Sequence, residues 1–281
     1  MRELKPILID KYILAALRED MTSGDITTDS ILKDEKAEVN LIAKDKGILA
    51  GLDVFKRVFE ILDEDVTFEF YFSDGDEVNN KDLVGKIRGR AKAILEGERT
   101  ALNFLQRMSG IATYTKKMVD ALASEHVKIL DTRKTTPNMR IFEKYAVTLG
   151  GGYNHRYNLS DGIMLKDNHI DAAGGIREAV EKVRSLNPFV KKIEVEVENF
   201  DQVREALKAK ADIIMLDNME IGEIREACKI INKKAIIECS GNISLGNINS
   251  YRDLDIDYIS SGAITYSAGV LDLSMKNLKI Y

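Results

Sequence analysis

Tryptophan is absent from this chain of 281 residues, and cysteine, proline and histidine are scarce, at 2, 3 and 3 residues. The two cysteines, Cys228 and Cys239, argue against a disulfide framework, stand at no metal-ligand spacing, and predict a reducing, cytoplasmic setting. No His/Cys/Asp cluster has the spacing of a metal cage, which argues against a permanent zinc site. Long apolar runs are missing too: none approaches the roughly 20 residues that cross a bilayer. The opening MRELKPILIDKYILAALRED lacks the apolar stretch and cleavage site of a signal peptide. It reads instead as an amphipathic helix with Ile9, Ile13, Ala16 and Leu17 on one face. Excess positive charge is the last absence. A formal net charge of −5 argues against non-specific nucleic-acid binding, so any cationic patch is local and its position is informative.

What is present reads as globular: 44% of residues are hydrophobic and 31% charged, in a length that suits one large domain or two smaller ones. Residues 1–95 keep no steady rhythm. Val66, Phe68, Phe70 and Phe72 recur at period two, the mark of a strand with one buried face. SDGDEV carries turn chemistry, and GLDVFKRVFEIL has helical spacing at Val54, Phe55, Val58, Phe59 and Leu62. These features predict an α+β sandwich with antiparallel strands. From residue 96 to about 124, the spacing of Leu102, Leu105, Met108, Ile111 and Ala112 predicts a helix. Ser109-Gly110 is a candidate break in it, and the domain boundary falls inside it.

Thereafter strands are predicted at 127–130, 163–165, 193–197, 212–216, 235–238 and 258–260. Helices are predicted at 175–186, 200–209, 220–232 and about 244–252. Alternation at this spacing means parallel pairing, and six to eight such units point to a barrel. No glycine-rich dinucleotide fingerprint follows the first strand, which weakens a Rossmann alternative.

The predicted strands share a habit: each hands over to polar or small residues at its C-terminal end, where barrel enzymes build their active sites. The first is followed by Asp131-Thr132-Arg133-Lys134, and the second ends on Lys166. IEVEVEN puts Glu194, Glu196 and Glu198 on one strand face; DIIMLDN ends on Asp217. One terminal charge is an ordinary strand exit into solvent. Six such ends converging on one rim would be costly without a function. Ser240-Gly241-Asn242 and Ser261-Gly262-Ala263 follow the last two strands, where glycine and free N–H groups suit a phosphate. Arg133, Lys134, Arg156 and Lys166 supply a local cationic region, and guanidinium groups match carboxylates. GGGYNHR, residues 150–156, gives a flexible approach to His155 and Arg156; His155 and His169 read equally well as structural hydrogen-bonding residues.

These residues resemble the quinolinate phosphoribosyltransferase family, also called carboxylating nicotinate-nucleotide pyrophosphorylase, of NAD biosynthesis. The likeness runs nearly end to end through REDMTSGDITTDSIL, LEGERTALNFLQRMSGIAT, DTRKTTPNMR, EKYAVTLGGGYNHRYNLSDGIMLKDNHI, IIMLDN and ECSGNIS. The resemblance implies an N-terminal α/β sandwich over residues 1–105, with 270–281 returning to it. It further implies an irregular, seven-stranded TIM-like α/β barrel over 106–269, in a homodimer or dimer-based hexamer.

The implied reaction joins quinolinate to 5-phosphoribosyl 1-diphosphate with Mg²⁺, releasing diphosphate and CO₂ and leaving nicotinate mononucleotide. By motif, Arg133, Arg156 and Lys166 bind the two quinolinate carboxylates, with Thr132, Lys134 and His155 lining the pocket. Lys134, Lys166, Glu196 and Asp217 form the catalytic set. Glu196 and Asp217 face ribose and metal, the metal held mostly through substrate. Ser240, Gly241, Asn242, Ser261, Gly262 and Ala263 cradle the 5-phosphate, and Arg99 reaches the neighbouring subunit's site. Asn138-Met139 and Asn158 depart from the family's usual glycine-containing pattern, and asparagine tolerates left-handed backbone. Rival readings are a molybdenum-operon paralogue on the same scaffold, a Schiff-base aldolase using Lys166, and a non-catalytic phosphate-ligand sensor.

Overall fold

In the computed structural model, which describes residues 4–189 and 192–281, the chain divides into two compact units. The first holds the chain up to Lys116 together with Thr136–Gly151 and Ala268–Tyr281; the second holds Lys117–Thr135 and Gly152–Ser267. The division expected at residue 105 therefore lies further along, and a mid-chain segment joins the first unit. Aromatic packing explains why: Phe142 meets Phe104 at 4.9 Å and Tyr12 at 5.8 Å between ring centroids.

In the first unit α1 (Pro6–Asp20) buries Ile9, Ile13 and Leu17. Asp25 caps α2 (Ile26–Ile31) by accepting the N–H groups of Thr27 and Thr28. β1 (Lys36–Ala43) buries every second side chain. It pairs antiparallel with β5 (Leu83–Arg90) on one side and β12 (Leu273–Ile280) on the other, and β3 (Thr67–Phe70) completes the order β12-β1-β5-β3. β2 (Gly47–Ile48) and β4 (Glu77–Val78) form a separate pair. Val66 and Phe72 thus fall outside the strand that their spacing predicted. α3 (Leu52–Leu62) buries Val54, Phe55, Val58 and Phe59, and Phe55 meets Phe59 edge-on at 5.1 Å.

α4 (Ala91–Leu122) runs unbroken through Ser109-Gly110. The expected break is absent because both residues serve close packing. Ser109 Oγ accepts the Ala50 N–H at 3.0 Å, and a Cβ on Gly110 would lie 1.9 Å from the Gly269 carbonyl oxygen. Asn138, just before α5 (Arg140–Leu149), has φ 63°, the left-handed backbone that its side chain tolerates.

The second unit alternates strands and helices: β6 (Lys128–Leu130), β7 (Ile163–Leu165), α6 (Asp167–Ala173), α7 (Ile176–Leu186), β8 (Ile193–Val197), α8 (Phe200–Lys208), β9 (Ile213–Asp217), α9 (Ile221–Ile231), β10 (Ile236–Ser240), β11 (Tyr258–Ser260) and α10 (Ala263–Tyr266). The strands form one parallel sheet in the order β6-β11-β10-β9-β8-β7. Beyond β6, Tyr153 bridges Leu130 in parallel. A short 3₁₀ turn at Ile248–Tyr251 occupies the stretch predicted as a helix at 244–252. No helix among the described residues is long and apolar enough to cross a membrane.

Candidate active site

Parallel strands point their C-terminal ends the same way, so the polar residues that follow them share one edge of the sheet. There they line a cavity of about 500 Å³: Thr132, Arg133 and Lys134 after β6, His155 and Arg156 after the Tyr153 bridge, and Lys166 after β7. Glu196 of β8, Asp217 of β9, Ser240-Gly241-Asn242 after β10 and Ser261-Gly262 after β11 complete the wall. Ala263 is buried in the first turn of α10, and its N–H reaches Ser261 Oγ at 3.2 Å. Arg99 stands apart: it is exposed on α4 and lines another cavity, of about 460 Å³, within the first unit.

Local hydrogen bonds explain each placement. Asp131, fully buried at the end of β6, accepts the His155 N–H at 2.9 Å and the Asn154 side-chain N–H at 2.6 Å. That anchors the loop carrying Arg156, whose Nη1 donates to the Gly162 carbonyl at 3.0 Å. Burial depresses the Arg156 pKa from its ordinary value, and the nearby Arg133 charge adds to the effect. Lys166 caps α6 while its own N–H donates to His169 Nδ1 at 3.0 Å, so His169 closes a helix start. The Lys166 ammonium is paired with the Glu196 carboxylate.

Asp217 accepts the Asn218 side-chain N–H at 2.6 Å. Gly241, at φ 104°, leaves no room for a side chain, since a Cβ would lie 2.3 Å from Asn218 Oδ1. Asn242 also takes left-handed backbone, at φ 51°. Asn158 does not; it makes its turn by accepting the Ser160 N–H at 2.8 Å. Gly262 is equally hemmed in, with Lys134 Cδ and Tyr266 within 2.8 Å of where a Cβ would sit.

Sequence reasoning missed several lining residues, Met164, Met215, Asn218, Ile243 and Tyr266 among them. Only Asn218, next to Asp217 in IIMLDN, carried a signal. It also left unused the one group of His/Cys/Asp/Glu donors that converges among the described residues: His155, Glu194 and Glu238, whose donor atoms lie within 4.8 Å of one another. Burial works against charge on the His155 ring, whereas its contacts with Glu194 and Glu238 favour it. Burial, more than any neighbour, raises the Glu194 carboxyl.

Cationic and amide donors thus face carboxylates across one polar cavity, a layout that suits a substrate with several negative groups. Residues 25–109 and 111–276 match the N-terminal and C-terminal domains of quinolinate phosphoribosyl transferase. The chain is 45% identical over 257 residues to a probable nicotinate-nucleotide pyrophosphorylase [carboxylating] of Bacillus subtilis, covering 92% of this chain and 89% of that one. It is 40% identical over 299 residues to a mitochondrial quinolinate phosphoribosyltransferase [decarboxylating] of Nicotiana tabacum, covering 98% and 85%. The crystal structure of NadC from Streptococcus pyogenes superposes over 100% of both chains with a TM-score of 0.97 at 51% identity.

Proposed function

The chain belongs to the quinolinate phosphoribosyltransferase family, and from that premise we propose that it makes nicotinate mononucleotide from quinolinate and 5-phosphoribosyl 1-diphosphate. CO₂ and diphosphate are the other products, and the step belongs to NAD biosynthesis. The single observation that carries this reading is that Arg133, Arg156 and Lys166 line one cavity together with Glu196 and Asp217.

Arg133 and Arg156 hold the two ring carboxylates by paired N–H donation, with Lys166, Thr132 and Lys134 beside them. Anchoring the diacid aims its ring nitrogen at C1 of the ribose, so much of the acceleration is positional. As the bond from C1 to diphosphate stretches, Glu196 and Asp217 stabilise the developing positive charge on the sugar. The positively charged ring that results is an electron sink for loss of the adjacent carboxylate. Gly241, Asn242, Ser261, Gly262 and Ala263 receive the 5-phosphate, where two glycines keep the main chain accessible.

Magnesium fits the donor set, since Glu196 and Asp217 on adjacent strands offer hard oxygens to the same cavity. When bound it would neutralise charge on the leaving diphosphate. Lys166 suits carboxylate binding better than Schiff-base chemistry: its side chain is 44% exposed and paired with Glu196, whereas an amine nucleophile needs a desolvated pocket. The Tyr153 bridge on the free edge of β6 supports reading the second unit as an irregular seven-stranded barrel. Arg99, exposed on the first unit, is assigned to the site of a neighbouring copy in a dimer or dimer-based hexamer. The two buried thiols favour a cytoplasmic setting.

Carboxyl-labelled quinolinate, supplied with 5-phosphoribosyl 1-diphosphate and Mg²⁺, should release labelled CO₂ and yield nicotinate mononucleotide. Ligand binding with no CO₂ release would overturn the assignment in favour of a paralogue or sensor.

A further inference from the structure

Glu194 precedes Glu196 by two positions on β8, and Glu238 precedes Ser240 by two on β10. Both therefore sit about 7 Å below the rim of the cavity, on the same strand faces. Their side chains are 5% and 1% exposed, and that of His155 is 12% exposed. Parallel sheets normally fill such positions with apolar side chains, and two buried carboxylates side by side are costly. The proposed reaction uses neither of them.

The His155 ring is committed at both nitrogens. Nε2 lies 3.2 Å from Glu194 Oε2 and 3.6 Å from Glu238 Oε2. Nδ1 accepts the Arg156 main-chain N–H at 2.7 Å. By charge alone the carboxylates favour a doubly protonated ring, but two N–H donors cannot face each other at that distance. The ring proton therefore sits on Nε2, and the lone pair on Nδ1. Glu238 Oε1 has no hydrogen-bond partner among the described residues. A metal ion on the same three residues would need the Nε2 lone pair that this tautomer lacks.

We propose that Glu194 and Glu238 are positioning residues: they hold His155 as the Nε2–H tautomer, whose Nδ1 fixes the main chain from which Arg156 is presented. The proposal rests on the assignment of Arg156 to a substrate carboxylate. It makes His155 a strut between a buried acidic layer and that arginine. Glu194 and Glu238 face the ring of this strut, and Asp131 accepts its main-chain N–H.

Nitrogen NMR of ¹⁵N-labelled wild-type protein at neutral pH reads the tautomer directly, with the ring identified by its loss in His155→Asn. One protonated Nε2 and one bare Nδ1 are expected. A doubly protonated ring, an Nδ1–H tautomer, or zinc binding at this ring overturns the proposal.

Kinetics supply a second readout. His155→Asn keeps an acceptor near the Nδ1 position, whereas His155→Gln reaches the carboxylates but offers no acceptor there. The quinolinate KM should rise about tenfold more in the glutamine variant, the worth of one hydrogen bond. Likewise Glu194→Leu, which takes an acceptor away from Nε2–H, should raise KM about tenfold, and Glu194→Gln, which retains an oxygen, should raise it less. Equal effects within either pair overturn the proposal. An unexpected tautomer with normal wild-type turnover sinks only this proposal, whereas the expected tautomer without turnover sinks only the assigned reaction.

Discussion

Asp63 in the first unit and Glu194 in the second are both buried acids, yet the fold treats them in opposite ways. Asp63, at the C-terminal cap of α3, accepts the main-chain N–H of Arg90 at 2.9 Å and of Asp65 at 3.2 Å. Burial pushes its pKa up, but those donors and the Arg90 guanidinium outweigh burial and bring it below the ordinary value. Among the described residues Glu194 receives no such main-chain donor; it shares one imidazole with a second carboxylate, and burial raises it. An acid satisfied by main chain is scaffold, because folding has already supplied its partners. An acid that depends on side chains next to a cavity is part of the site's machinery.

The contrast predicts a separation of function from stability. The largest effect should come from the cavity rim: Glu196→Gln or Asp217→Asn should lower kcat by roughly 100- to 1000-fold, as loss of one electrostatic stabiliser does. Steady-state assays check this, and a smaller loss in both would move the charge-stabilising role elsewhere. Next, Arg133→Ala or Arg156→Ala should raise the quinolinate KM about a hundredfold, within the range for truncating one member of a charged pair. Thermal melting should barely move. Unchanged KM in both would empty the assigned pocket.

Asp63→Ala should do the reverse, costing about 2 kcal/mol in urea unfolding as two main-chain donors lose their acceptor, with kcat and KM intact. The smallest effect is the pH response. With its folded pKa below 3.8, Asp63 contributes stability that is fully present above that value and lost as pH falls through the lower folded value. Glu194, raised above 4.5, contributes stability present below 4.5 and lost as pH rises through the higher folded value. Asp63→Asn should therefore flatten the acid limb of the stability profile, and Glu194→Gln the limb above it; the opposite pairing would refute the comparison.

Much of the second unit was legible because hydrophobic runs and polar strand exits are local features. β7 begins and ends where its run of large apolar residues does. Cavity residues such as Lys166 and Asp217 showed themselves by breaking an apolar run. Sheet order was not legible, since no local feature says that β11 lies between β6 and β10. For that reason Glu194 and Glu238, on strands separated by β9, gave no sign of sharing a histidine. Gly110 misled for a related reason: its role depends on Gly269, far away in the chain. Arg99 had no pattern of its own; only the family likeness singled it out.

β12 has a consequence for synthesis. It joins the sheet of the first unit beside β1, although the whole second unit is encoded before it. During translation β1 therefore waits with β5 on one flank and bare amide and carbonyl groups on the other. A ribosome that stalls late would release a chain whose second unit can already assemble, while β1 offers itself to any passing strand. Quality control of this protein should thus be most sensitive to damage in β12.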